Sequence, residues 1–128
     1  MKVGDYVRFD YHRVSTPIQI AKIIETHYDS EDDSICYSTD IGLVIDESNL
    51  VKEPSQQIIE LIEVGDYVNG YKVLEIEKDY LFDYREEINV LIVQNDEVYE
   101  VAKKIYSNDI KSIVTKEQFS QMEYKVGE

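Results

Sequence analysis

Apolar and polar positions alternate along most of this chain in runs of strand length, and turn residues punctuate them. Val3, Tyr6 and Val7 favour an extended, half-buried chain, while Gly4-Asp5 between them supplies a turn or bulge. Residues 18–26, 35–39 and 41–45 read as three further strands, with Asp40 as the turn between the last two. The same order returns later: residues 71–78, 88–94 and 98–102 read as strands, and Asn95-Asp96 is a turn. Asn69-Gly70, set between Tyr67-Val68 and Tyr71-Lys72-Val73, is a strong two-residue hairpin signal. In the first half the corresponding connection is longer, about residues 10–17. The run Val90-Leu91-Ile92-Val93 breaks the alternation, which predicts a strand covered on both faces.

The recurrence is also literal. Val3-Gly4-Asp5-Tyr6-Val7 returns letter for letter as Val64-Gly65-Asp66-Tyr67-Val68, 61 residues later. A truncated third copy, Val126-Gly127-Glu128, follows after another 62. Two repeats are therefore expected, residues 1–62 and 63–128. Helix is expected only briefly in each. Thr115-Lys116-Glu117-Gln118 fits a capping box, with Phe119 and Met122 on one face behind it. In the first repeat Pro54 can open a short helix ahead of Ile58, Ile59, Leu61 and Ile62. The fold class predicted is mainly β: two small SH3-like barrels in tandem, each with a short helix before its last strand.

Length supports this scale, since 128 residues make one ordinary domain or two very small ones. Charge changes the functional picture more. Thirteen Lys and Arg face 27 Asp and Glu, a net charge of −14, and the excess is shared by both halves. Such a chain lacks the basic face that binding to nucleic-acid phosphates or an anionic membrane needs. An apolar fraction of 43% is too high for a disordered acidic tail. No apolar run reaches membrane-spanning length, and the N-terminus carries no secretory pattern. The lone Cys36 forms no internal disulfide, so a cytoplasmic setting is expected.

No catalytic motif emerges. His12 and His27 are 15 residues apart with no cysteine at ligand spacing, so zinc is not expected. Cys36 alternates within a strand and reads as a small buried hydrophobe. Tyr28-Asp29-Ser30-Glu31-Asp32-Asp33 is the densest acidic cluster, but it lacks the glycine and distal glutamate of a calcium loop. It reads as a hairpin tip or as an acidic contact for a basic partner. Asp46-Glu47, Glu86-Glu87 and Asp96-Glu97 are adjacent pairs, whose side chains diverge on a strand, and read as loop charge rather than acid–base pairs. Eleven tyrosines are more than two small cores need, and many sit beside a carboxylate, as in Asp83-Tyr84. That pairing suits a surface for arginine-rich partners. No cofactor, metal or catalytic residue is expected. The predicted contact is Tyr28, Asp29, Glu31, Asp32, Asp33, Asp46, Glu47, Asp83, Tyr84, Glu86 and Glu87.

Leu61 to Gly70, Ile110 to Phe119 and the closing Met122-Glu123-Tyr124-Lys125-Val126 resemble a module of small proteins from phages and prophages of low-GC Gram-positive bacteria. The resemblance covers about residues 55–128. It implies a phage accessory protein, some of which are suspected of countering host defences. Joined to the acidity, it implies a non-enzymatic inhibitor of a basic nucleic-acid-handling host protein such as a CRISPR effector, acting by nucleic-acid mimicry. The alternative is a structural or adaptor protein of a phage or mobile element that acts by self-association, as a homodimer for instance. A small-molecule sponge or enzyme with its site between the two barrels ranks behind both, because no cofactor fingerprint is present.

Overall fold

The computed structural model describes residues 1–12, 16–81, 86–94 and 103–122. It is mainly β, with two antiparallel sheets. The chain divides into two compact units, Met1–Leu61 and Ile62–Glu128.

The first unit holds β1 (Tyr6–Phe9), β2 (Gln19–Asp29), β3 (Ser34–Thr39) and β4 (Val44–Ile45), paired in that order. The second holds β5 (Tyr67–Val68), β6 (Tyr71–Leu81), β7 (Glu86–Val93), β8 (Lys103–Tyr106) and β9 (Ile113–Val114), in the order β8-β7-β6-β5-β9. In the second unit the last strand thus returns beside the first. The first unit does the same with single bridges, Tyr6 to Ser55 and Phe9 to Leu50.

The repeated pentapeptide builds the same corner in both units. Gly4 and Gly65 take φ of 97° and 99°, a region open to glycine, so the chain can swing sharply into its first strand. The Gly4 amide donates to the Ile23 carbonyl at 2.8 Å, and the Gly65 amide to that of Val73 at 2.9 Å. Each following aspartate turns its carboxylate back on the turn. Asp5 accepts from the Lys2 amide at 3.0 Å, and Asp66 from the Glu63 amide at 2.8 Å. The next long strand then bulges at the same place in each unit, after Ile23 and after Val73. The extra residues, Ile24 and Leu74, are exposed.

Alternation fills the cores. Val7, Phe9, Ala21, Ile23, Tyr37 and Ile45 form one cluster, with Met1, Tyr11, Leu43 and Leu50 packed against it. In the second unit Val68, Val73, Leu91, Val93 and Ile105 are buried. Val90 and Leu91 are adjacent and both buried, so this stretch of β7 is covered on both faces, as the unbroken apolar run predicts. The Asn69-Gly70 turn is present, with φ of 53° and 85° and Val68 opposite Tyr71.

Several expectations need correction. The capping box is real: the Thr115 amide donates to Gln118 Oε1 at 2.9 Å, and the Gln118 amide to Thr115 Oγ1 at 3.1 Å. Its helix, α1 (Lys116–Met122), follows a short strand, β9, that the pattern did not predict, and the closing strand expected after the helix lies outside the described residues. A 3₁₀ turn, Ser107–Asp109, stands before β9, and Glu47–Asn49 takes the equivalent place in the first unit. Pro54 opens no helix; Ser55 bridges to Tyr6, and a 3₁₀ turn begins only at Ile58 (Ile58–Leu61). Strand 41–45 shrinks to Val44–Ile45, because Ile41 and Gly42 are used in the turn. Cys36 is only half-buried: it pairs with His27 on the face turned away from Tyr37 and Thr39, which point into the core. The strand expected at 98–102, the Asn95-Asp96 turn and the third copy at 126–128 lie outside the described residues. No helix among the described residues is long and apolar enough to cross a membrane.

Candidate functional site: the acidic β2–β3 hairpin

β1 reaches along β2 only from Gln19 to Lys22, and β4 reaches along β3 only at Tyr37 and Ser38. Beyond those limits β2 and β3 run on as a two-stranded hairpin, paired from Glu25 with Ser38 to Asp29 with Ser34. The acidic cluster caps its end. Asp29 closes β2, Ser30 to Asp33 form the turn, and every residue from Ile24 to Ile35 is exposed.

The tip is held by its own side chains. Asp29 Oδ1 accepts from the Glu31 amide at 2.9 Å, an Asx turn. Asp33 takes φ of 49°, which a short polar side chain tolerates best. The Tyr28 hydroxyl donates to the Asp33 carboxylate across the turn. That hydrogen bond, and secondarily desolvation, raises the Tyr28 phenol above its ordinary 10.0, because the neutral form is the donor. Among the described residues no Lys or Arg pairs with Asp29, Glu31, Asp32 or Asp33. Glu63 differs: its carboxylate lies 2.9 Å from Lys116 Nζ.

The remaining contact residues are used differently. Asp46 is an N-cap: it accepts from the Ser48 amide at 2.8 Å, while its own amide donates to Asn49 Oδ1 at 2.9 Å. Glu47 sits exposed in the first turn behind it. Glu86 opens β7 opposite Leu81, and Glu87 is exposed, 3.7 Å from Lys78 Nζ. Asp83 and Tyr84 lie outside the described residues. Only residues 28–33 form a cluster in the described part of one unit. Among the described residues no group of three or more His, Cys, Asp or Glu side chains is placed to hold a metal ion.

Register adds acids that the sequence reading passed over. Glu25 and Asp29 share the outer face of β2 with His27, whose Nε2 is 2.8 Å from Ser38 Oγ. Glu75, Glu77 and Asp79 line the corresponding face of β6, and Asp79 accepts from the Tyr106 hydroxyl at 3.2 Å. The signal was polar residues at period two, Glu25, His27 and Asp29 in the first unit and the acids Glu75, Glu77 and Asp79 in the second. On the opposite face of the first hairpin, Tyr28 pairs with Ile35 and Thr26 with Tyr37. With Met1 and Val3 these line an open groove of about 360 Å³, to which Lys2 and His27 also contribute. Val3, Tyr28 and Ile35 are each at least half exposed, at 57%, 64% and 50%.

Compared with protein-family models, with curated proteins and with solved structures, the chain matches none.

Proposed function

We propose that this chain is a non-enzymatic, phage-type protein that binds a basic nucleic-acid-handling protein of a bacterial host and blocks it, a CRISPR effector being the class that suits the profile best. It would act in the host cytoplasm, through two SH3-like barrels in tandem. One observation carries the reading: four carboxylates stand on a projecting hairpin tip with no described cation beside them. A cluster left uncompensated in this way sets up a negative potential that steers a positively charged surface and gives salt-sensitive association. Within the first unit, Glu25 on β2 adds to the same field, and Glu75, Glu77 and Asp79 give the second unit an acidic face of its own. The meander order, with a 3₁₀ turn ahead of the returning strand, supports the SH3-like reading, and the resemblance of residues 55–128 supports the phage setting.

The test is capture by the tagged protein from lysate of a Gram-positive host carrying CRISPR systems. A basic nucleic-acid enzyme is expected to be held at low salt, released at high salt, and displaced by added duplex DNA. The matched control is Asp29→Asn, Glu31→Gln, Asp32→Asn, Asp33→Asn. These amides keep the Asx turn and tolerate the positive φ of residue 33 while deleting the charge. Capture that survives both the variant and high salt overturns the assignment. A clean column, with the protein alone forming a concentration-dependent oligomer in light scattering, replaces it with the self-association reading.

A further inference from the structure

The outer side of β2 between residues 24 and 29 faces no other strand among the described residues, since β1 ends opposite Lys22. A strand edge with unpaired amides and carbonyls is a template for another extended chain. We propose that this edge is a strand-addition site, and that its occupant is an extended segment of a basic protein in which Lys or Arg alternates with apolar residues. The inference rests on the reading of this hairpin as the docking surface for a basic partner, and it specifies how that partner is held.

The two faces of the hairpin set the alternation. Side chains of an added strand point to opposite faces in turn. On the outer face they meet Glu25 and Asp29, about 13 Å apart along the strand. On the other face they meet the groove of Met1, Val3, Thr26, Tyr28, Ile35 and Tyr37. Opposite charges directly across a sheet attract and like charges repel. Basic residues therefore suit one face and apolar residues the other. A second copy of this chain is the wrong occupant, because its own edge would set Glu25 and Asp29 against the same acids and its net charge is −14.

The experiment compares two short synthetic peptides of identical composition, one with Lys and Val alternating and one with them in separate blocks. Both carry the same total charge, and the hydrogen-exchange pattern along β2 separates strand addition from an effect of charge spacing alone. The alternating peptide is expected to bind about tenfold more tightly. On binding it should slow hydrogen exchange at alternate amides between residues 24 and 29. The variant Glu25→Gln, Asp29→Asn, which leaves the Asx turn intact, should lose most of that preference; a preference it retains in full overturns the proposed charge pairing. Equal binding of both peptides, or protection confined to residues 30–33 or to the second unit, overturns strand addition while leaving a basic partner in place. Failure of both peptides to bind at low salt overturns the site and the basic-partner reading together.

Discussion

Two aspartates that are identical in sequence context carry different weight. Asp5 accepts one backbone amide, that of Lys2, and keeps 7% of its surface exposed. Asp66 is fully buried, and its carboxylate accepts from the Glu63 amide and, at 2.9 Å, from the amide of Lys116, the first residue of α1. Loss of Asp66 leaves the part-buried Glu63 and Lys116 amides without this acceptor, so Asp66→Ala is expected to cost about 2 kcal/mol and Asp5→Ala about 1 kcal/mol in urea denaturation. Arg8 shows why some residues were hard to read: it is 1% exposed in β1 and donates to the Leu61 carbonyl at 3.2 Å. Its charge argues for the surface, and burial is tolerated because tertiary partners, the Leu61 carbonyl among them, receive its donors. Asp46 was read as loop charge, although the spacing of Asp46 and Asn49 already held the capping-box signal. At the tip, Asp33→Asn is expected to bring the Tyr28 phenol back toward its ordinary value, seen by NMR titration of that ring. The sign is set by the protonated form. Whatever stability the bond lends the hairpin is present below the ordinary phenol range and is lost as pH rises through the elevated value.

At the scale of elements, turn chemistry was legible and packing devices were not. Asn69-Gly70 announced its hairpin because few dipeptides accept two successive positive φ values. The pattern did not announce that Asn69 also fastens a distant segment. Its Oδ1 accepts from the Lys111 and Ser112 amides at 2.7 and 3.1 Å, and its Nδ2 donates to the Asp109 carbonyl at 2.7 Å. Asn69→Ala removes all three bonds and strains the turn, with an expected loss of about 2–3 kcal/mol on denaturation. Asn69→Gly keeps the turn geometry and separates the two contributions. Phe119 was placed correctly on one face of α1, and its ring stacks on Tyr67 at 4.1 Å. β8 escaped notice because Lys103-Lys104-Ile105-Tyr106 offers only one buried apolar side chain to a pattern search. The bulges after Ile23 and Val73 were invisible for a related reason: Ile24 and Leu74 look like strand interior, yet the register shift leaves them exposed.

For the whole molecule, a net charge of −14 acts on folding and on association with opposite salt dependence. Repulsion among like charges works against the compact state, and salt screens it. Raising sodium chloride from low to moderate concentration is therefore expected to raise Tm while weakening capture of a basic partner. Parallel melting and binding curves against salt would check this, and a Tm that falls with salt would contradict it.

The uncovered edge of β2 has a consequence for handling the protein. At neutral pH, a net charge of −14 sets mutual repulsion against one molecule continuing the sheet of the next. Near the isoelectric point of about 4.4 that colloidal barrier disappears, while the ladder groups remain available. Acidification toward that point should seed fibrils that bind amyloid dyes, starting from the hairpin, whereas a Thr26→Pro variant should precipitate without that ordered growth.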